Sequence, residues 1–242
     1  VTDDDVEGPT IPGTVVFDPF NDATRMDGSD MRDVAWYVGA PNMDAAVVND
    51  WSGIGDGNAL RVVATNGGSV LGPSPGAQNI TLVNEGENIS LRVNFRVQNI
   101  PDSPVGFRMG LYHDAGTTMT QDLMTAFDND EGYLFRLATG NQTGLTVDAE
   151  SGTNGTITMG SDVFALANNN TFNLNEATSH SAEMILTKMP GGVFVEVVID
   201  GTTMVSVADT VAPIFTNFNE IAFDHEPNAQ YWYDNITLAK SS

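Results

Sequence analysis

Four of the nine basic residues of this chain fall on the polar positions of strongly alternating segments. They are Arg92, Arg96, Arg108 and Arg136, and Tyr112 has the same parity as Arg108. Because alternate residues of a strand point to one face of a sheet, these side chains are predicted to share a surface. Bidentate hydrogen bonds would let that surface bind an anionic polysaccharide or an acidic segment of a neighbouring subunit. The alternative is cross-strand pairing with the protein's own Asp and Glu side chains.

A carboxylate near the end of the chain points to cation chemistry. Asp234 has the parity of Ile236 and Leu238, so the pleat of the last strand is expected to turn its carboxylate towards the core. A buried carboxylate needs a partner, and in a chain with so few basic residues a hard cation such as calcium would serve. The alternative is a carboxylate that caps a turn through backbone N–H groups. The acidic loop at 128–131 is a second candidate cation site. The alternative is a loop whose side chains are simply solvated.

The histidines give no metal or catalytic pattern. His113, His180 and His225 lack the i, i+4 spacing of a helix site and the i, i+2 spacing of a strand site. The Gly-x-Ser-x-Gly motif of a nucleophile elbow is also missing from the sequence. These observations predict a protein without catalytic residues.

The balance of charge excludes some classes of partner. The chain has 32 Asp and Glu residues against 9 Lys and Arg residues, which gives a formal net charge of −23. A field of this sign repels phosphate backbones, so nucleic acid is excluded, and it attracts divalent cations. No apolar run is long enough to span a bilayer, which predicts no membrane insertion.

Composition also bears on the compartment. The chain lacks cysteine, which is compatible with either a reducing or an extracellular setting. The abundance of Asn, Thr, Gly and Asp, and a first residue that is Val rather than Met, are typical of an exported chain whose signal peptide has been removed. We therefore expect an extracellular or cell-surface protein.

Apolar and polar residues alternate along most of the chain, and no segment has a clear helical period. The clearest alternation runs over 89–98, and similar patterns occupy 105–112, 133–138 and 193–199. The shorter candidate strands are 14–17, 34–38, 59–64, 79–83, 182–187, 203–207, 218–223 and 231–239. So many strands, separated by Gly, Asn, Asp and Pro clusters, predict an all-β fold: a two-sheet antiparallel β-sandwich.

The chain is expected to form one domain, because neither an internal repeat nor a linker divides residues 14–242. Residues 1–13 are acidic, contain Pro and Gly, and lack a core pattern, so they are predicted to form an extended arm. The arm is predicted to join copies of the protein by pairing with a sheet edge of a neighbour. The rival is a strap across the arm's own sheet.

Four short stretches, at 15–22, 55–62, 106–112 and 233–238, resemble concanavalin A-like, laminin-G-like jelly-roll domains of exported bacterial proteins. The resemblance implies a jelly-roll sandwich. It also implies structural calcium where the first and last strands meet, which would place Asp18 and Asp22 beside Asp234.

The enzyme branches of that superfamily have recognisable motifs. The glycosidase branch carries Glu-x-Asp-x-x-Glu and the alginate-lyase branch carries Gln-x-His, and this sequence contains neither. Glu196 and Asp200 have the wrong spacing and no third carboxylate. The resemblance therefore implies a non-catalytic member.

Three functions remain, and fold does not choose among them. The first is a secreted, calcium-stabilised structural or adhesive subunit that assembles into a filament or surface layer. The alternative is a lectin-like module for an anionic polysaccharide, and the third is a divergent glycan hydrolase or lyase. A sugar-binding groove would use exposed aromatic residues, and the candidates are Trp36, Tyr37, Trp51, Tyr231 and Trp232.

Overall fold

The computed structural model describes residues 13–26, 32–50, 53–54, 57–74, 78–99, 102–123, 129–152, 157, 161–174, 178–211 and 213–242. These residues form seventeen strands, and they contain no α-helix. The all-β prediction is therefore confirmed. Within the described ranges, no helix is long and apolar enough to cross a membrane.

The first large sheet, sheet A, contains eight strands. Their bounds are β1 (Thr14–Asp18), β3 (Met43–Asn49), β4 (Asn58–Ala64), β7 (Asn88–Gln98), β12 (Ser179–Met189), β13 (Gly192–Ile199), β14 (Thr202–Asp209) and β17 (Ala229–Ser241). The spatial order is β14-β13-β12-β7-β17-β4-β3, and β1 pairs with the second half of β17. Every paired neighbour is antiparallel.

The second large sheet, sheet B, contains seven strands. Their bounds are β2 (Tyr37–Val38), β5 (Gly68–Pro73), β8 (Ser103–His113), β9 (Glu131–Thr139), β10 (Leu145–Glu150), β11 (Val163–Asn169) and β16 (Glu220–His225). They follow the order β11-β10-β9-β8-β16-β5-β2, again antiparallel throughout. A separate two-stranded sheet joins β6 (Ile80–Thr81) to β15 (Asn217–Phe218).

Stacked aromatic rings hold the two large sheets together. Phe95 of sheet A lies on Phe107 of sheet B with ring centroids 4.2 Å apart, and Tyr233 of sheet A lies on Phe223 of sheet B at 4.4 Å. All four rings are fully buried. Offset stacking adds to the free energy gained by burying their large apolar surfaces. The predicted two-sheet sandwich is confirmed, and its core lies between these facing strands.

The first and last strands lie side by side. Phe17 of β1 pairs with Thr237 of β17, and the carbonyl of Gly13 accepts a hydrogen bond from the Lys240 amide at 2.9 Å. The preceding residues, 1–12, lie outside the described part of the chain. The extended arm at 1–13 and its pairing with a neighbour therefore stay predictions.

Sheet B has a close strand contact at Gly132, opposite Tyr112. A Cβ atom at Gly132 would lie 2.0 Å from the carbonyl oxygen of Leu111, a backbone atom that cannot move away cheaply. The neighbouring Gly110 likewise leaves room for the ring of Tyr112, which would be 2.4 Å from a Cβ there. Glycine is thus required where β8 and β9 meet beneath the tyrosine.

We predict that Gly132→Ala lowers the free energy of unfolding by about 1 to 3 kcal/mol, because the added methyl group overpacks the β8–β9 contact. The measurement is the urea midpoint. Ser206→Ala, at an exposed position of edge strand β14, is the control and should stay within about 0.5 kcal/mol of the parent. Equal midpoints for Gly132→Ala and the parent would contradict this close packing.

Candidate functional site

The outer face of sheet B carries several buried charged residues, among them Arg108, Asp148 and Asp224. Core side chains of β8 are Phe107, Met109 and Leu111, so the alternate residues Arg108 and Tyr112 point outwards. The pairing of β5, β16, β8, β9 and β10 arranges the outward residues in rows across the sheet. The row through Arg108 is Ser69, Asp224, Arg108, Arg136 and Thr146.

Arg108 is the centre of a double ion pair. One terminal nitrogen of its guanidinium lies 2.7 Å from Oδ2 of Asp224, and the other lies 2.7 Å from Oε1 of Glu226. Only 4% of the arginine side chain is exposed, against 17% for Glu226. Charge-assisted hydrogen bonds in such a sheltered position fix all three side chains. We call this group the Arg108 clamp.

A cleft of about 490 Å³ opens beside the Arg108 clamp. One wall is the turn between β4 and β5, with Asn66, Gly67 and Gly68, and another is the segment that follows β2, with Gly39 and Ala40. The clamp residues and Ser69 line the sheet side. Gly67 has φ +79, in the left-handed region that glycine tolerates, and so allows the tight turn. We call this space the Arg108 cleft.

A buried histidine and two buried tyrosines form hydrogen bonds behind the segment that carries the two acidic residues of the clamp. His225 lies between them in sequence, and its ring contacts the oxygen of Tyr233 at 2.9 Å and the carbonyl of Gly68 at 2.9 Å. The hydroxyl of Tyr231 accepts the Glu226 N–H at 3.0 Å and donates to the carbonyl of Gly106. The cleft therefore rests on a rigid hydrogen-bonded support.

The protonation state of His225 follows from these contacts. Burial lowers the pKa of His225 to about 4, so the ring is neutral near neutral pH. A carbonyl oxygen can only accept, so Nδ1 carries the proton that is donated to Gly68. Nε2 is then the acceptor for the hydroxyl of Tyr233. His225 positions the strand without adding charge to the cleft.

The other part of the same face is covered. Arg136 donates two hydrogen bonds to Asp148, at 2.6 and 2.7 Å, and Tyr112 donates to Glu150 at 2.8 Å. Burial, and then the Glu150 carboxylate, raises the pKa of Tyr112, which keeps the phenol protonated as a donor. Met119 is buried against the tyrosine. Tyr112 is thus a packed residue and is not available to a ligand.

The four arginines that were predicted to share one surface lie on the outer faces of two different sheets. Arg108 and Arg136 are direct neighbours on the outer face of sheet B, but Arg92 and Arg96 belong to β7 and point outwards from sheet A. The chain crosses from one sheet to the other between β7 and β8, so equal parity on consecutive strands does not give a common face. The two sheet B arginines pair with the protein's own carboxylates, as the alternative interpretation proposed.

The three aspartates of the predicted calcium site do not come together. Register shifts between Asp234 and Thr237, and Asn235 has φ 51, which marks a β-bulge in β17. Tyr231 and Tyr233 face the core before the bulge, and Ile236 and Leu238 face it afterwards. Asp234 therefore points to the outer side of sheet A, which corrects the parity argument.

Asp18 points the other way, into the sandwich. Its Oδ2 accepts a hydrogen bond from Nε1 of Trp36 at 2.6 Å, and Oδ1 accepts the Phe20 N–H at 3.0 Å. Burial, and next the carboxylate of Asp33, raises the pKa of Asp18. Asp22 is exposed and accepts the Thr24 N–H at 3.0 Å. In the described ranges, no group of three or more His, Cys, Asp or Glu residues could hold a metal ion.

The acidic loop at 128–131 contributes to a buried carboxyl pair. Asp130 lies beside Glu220, and both side chains are almost fully buried. Burial, followed by the charges of Asp130 and Asp114, raises the pKa of Glu220 well above its ordinary value. The protonated form of the Glu220 carboxyl is therefore favoured. The first residue of the loop, Asp128, lies outside the described residues.

Sequence reasoning missed the two acidic residues of the clamp. The available signal is the i, i+2 spacing of Asp224, in β16, and Glu226, just after it, because this spacing in extended chain puts two side chains on one face. Of the aromatic groove candidates, Trp36, Tyr231 and Trp232 are buried, and Trp51 lies outside the described residues. Tyr37 is half-buried at the sheet edge, two residues before Gly39 of the cleft wall.

Comparisons with protein-family models and with curated proteins find no match. Solved structures do match. The carbohydrate recognition domain of Emp47p gives a TM-score of 0.56 at 9% identity, covering 97% of this chain and 100% of that one. A protein of unknown function with a galectin-like fold from Bacillus subtilis gives 0.53 at 11% identity, covering 94% and 96%. Lectin UEA-II complexed with galactose gives 0.50 at 9%, covering 86% and 93%.

At such low identity the likeness shows the fold alone. The chain is a galectin-like jelly-roll β-sandwich, so the resemblance to concanavalin A-like domains is confirmed at the level of fold.

The Glu220–Asp130 pair predicts a pH dependence. Because the folded pKa of Glu220 lies well above 4.5, the folded protein keeps a proton that the unfolded chain releases, and stability from this group falls as pH rises. Glu220→Gln removes the titrating carboxyl group, and with it the loss of stability at high pH. We predict that the variant melts above the parent at about pH 8 and that its advantage shrinks towards about pH 4. An advantage that grows on acidification would contradict the prediction.

Glu87→Gln is the matched control, because the contribution of Glu87 to stability changes with pH in the opposite direction to that of Glu220. The Val83 N–H, the Asn84 side chain and the Lys240 ammonium bind the Glu87 carboxylate and lower its pKa to about 2. Its contribution to stability is therefore present above about pH 4.5 and is lost as pH falls towards about 2. The Glu87→Gln variant should melt below the parent at neutral pH.

Proposed function

We propose that this protein is a non-catalytic carbohydrate-binding domain and that the Arg108 cleft is its ligand site. The observation that carries the proposal is the Arg108 clamp: two carboxylates, pre-positioned by one buried guanidinium, line an open cleft on one outer sheet face. The cleft volume, about 490 Å³, suits one or a few sugar units.

The lining groups match the chemistry of a saccharide. Sugar hydroxyls are donors and acceptors at fixed spacing, so a receptor needs rigid polar groups of both kinds. Asp224 and Glu226 supply anionic acceptors, and the Asn66 amide supplies both a donor and an acceptor. Gly67 and Gly68 lack side chains that would keep a sugar ring from the backbone.

The clamp favours binding over hydrolysis. A retaining glycosidase uses two carboxyl groups, one ionised as nucleophile and one protonated as general acid. Here both carboxylates are hydrogen-bonded to the same guanidinium, so both are engaged in holding Arg108. This supports the non-catalytic reading of the sequence.

The structural neighbours that are carbohydrate-binding domains support this function more than a self-assembling structural subunit. The arm on which the assembly hypothesis depends lies outside the described residues. Location outside the cell stays a prediction of the composition, and calcium stays a prediction without a site.

We predict that Asp224→Asn weakens glycan binding at least about tenfold, because a charged acceptor is worth more than a neutral one in a sheltered site. The measurement is the Kd of the tightest ligand from a glycan array. The matched control is Asp44→Asn, which breaks the exposed Arg61–Asp44 pair on sheet A and should leave Kd unchanged.

Two outcomes would contradict the proposal. One is equal Kd values for Asp224→Asn and the parent, which would place the ligand elsewhere. The other is release of reducing ends or unsaturated uronates from a polysaccharide by pure protein, which would make the domain an enzyme.

A further inference from the structure

The Arg108 cleft has an excess of negative charge, which bears on the class of glycan it accepts. Among the described lining residues, the charged ones are Arg108, Asp224 and Glu226, so the cleft carries one net negative charge. His225 adds none, because burial lowers its pKa to about 4 and the ring is neutral near neutral pH.

Neither arginine on this face is available to an anionic ligand. Both terminal nitrogens of Arg108 bind carboxylates of the chain itself, and its side chain is 4% exposed. Arg136 holds Asp148 through two hydrogen bonds. A uronate or sulfate would have to displace one of these internal carboxylates before it could take their place.

Glu226 is the clamp residue most open to a ligand. It is more exposed than Asp224, at 17% against 7% of the side chain. Its Oε1 binds Arg108, whereas its Oε2 accepts no hydrogen bond from the described residues. Oε2 can therefore accept a hydrogen bond from a neutral hydroxyl, and it repels a carboxylate placed at the same position.

We propose that Glu226 makes the Arg108 cleft selective for uncharged glycans, so that the cleft discriminates against uronates. This inference rests on the proposed carbohydrate-binding function and replaces the anionic polysaccharide of the sequence-based alternative. The net charge of −23 acts in the same direction, because it slows the approach of polyanions at low ionic strength.

The test uses ligand pairs that differ only in charge. Homogalacturonan, alginate and glucuronan oligosaccharides are each compared with their carboxyl-reduced counterparts by calorimetry at low and high salt. We expect the parent protein to bind at least one reduced oligosaccharide and to bind the corresponding uronate more weakly. The preference should narrow at high salt, because ions screen the repulsion.

Glu226→Gln is the diagnostic variant, because it keeps an oxygen for Arg108 and removes one negative charge. We expect the ratio of uronate affinity to neutral affinity to rise about fivefold or more at low salt. Glu183→Gln on the outer face of sheet A is the control: it changes the net charge equally, and the ratio should stay at the parent value.

The outcomes separate the two proposals. If the parent binds uronates as tightly as their reduced counterparts, or if both variants raise the ratio equally, the selectivity by Glu226 is overturned while carbohydrate binding stands. If neither kind of ligand binds, and a glycan array is also negative, the proposed function fails and the inference fails with it.

Discussion

The shortage of positive charge is the constraint on which the rest of this structure depends. With 32 acidic residues and 9 Lys and Arg, the chain cannot pair each carboxylate with a base, yet several carboxylates are buried on or between the sheets. A buried carboxylate without a partner is costly. The partners used instead include neutral donors, in the pairs Trp36–Asp18, Tyr112–Glu150 and Tyr133–Asp209.

One arginine therefore has two roles, because it offsets the charge of carboxylates and also shapes a cleft. Arg108 pairs with two carboxylates at once and lines the Arg108 cleft, so the contacts that stabilise sheet B also shape the proposed ligand site. The clamp orders polar groups before any ligand arrives, which lowers the entropy lost on binding. The sequence predicts a basic surface around Arg108. In the structure, this part of sheet B presents two pre-positioned carboxylates, those of Asp224 and Glu226.

Much of the fold follows from local alternation, and much of the site does not. The patterns over 89–98 and 193–199 predict β7 and β13 closely, because both strands bury one face. The predicted strands omit β5 and β10, and they likewise omit β3 and β11. Gly68 and Pro73 bound β5 and resemble turn residues, whereas Asp148 and Glu150 put charge on a buried face of β10.

The site depends on long-range register that no local pattern contains. Arg108 meets Asp224 across 116 positions of sequence, and only the pairing of β8 with β16 brings them together. Parity also fails at a single residue, since the bulge at Asn235 turns Asp234 to the opposite side of sheet A. Alternation assigns a side chain to one face of its strand, and topology decides what it faces.

Mapping amide chemical shifts during titration with the tightest-binding neutral oligosaccharide tests the central claim most directly. The account predicts that the largest shifts occur around the cleft, at Gly67, Ser69 and Glu226, with little change on the outer face of sheet A. Shifts centred instead on Arg92 and Arg96 of sheet A would contradict it.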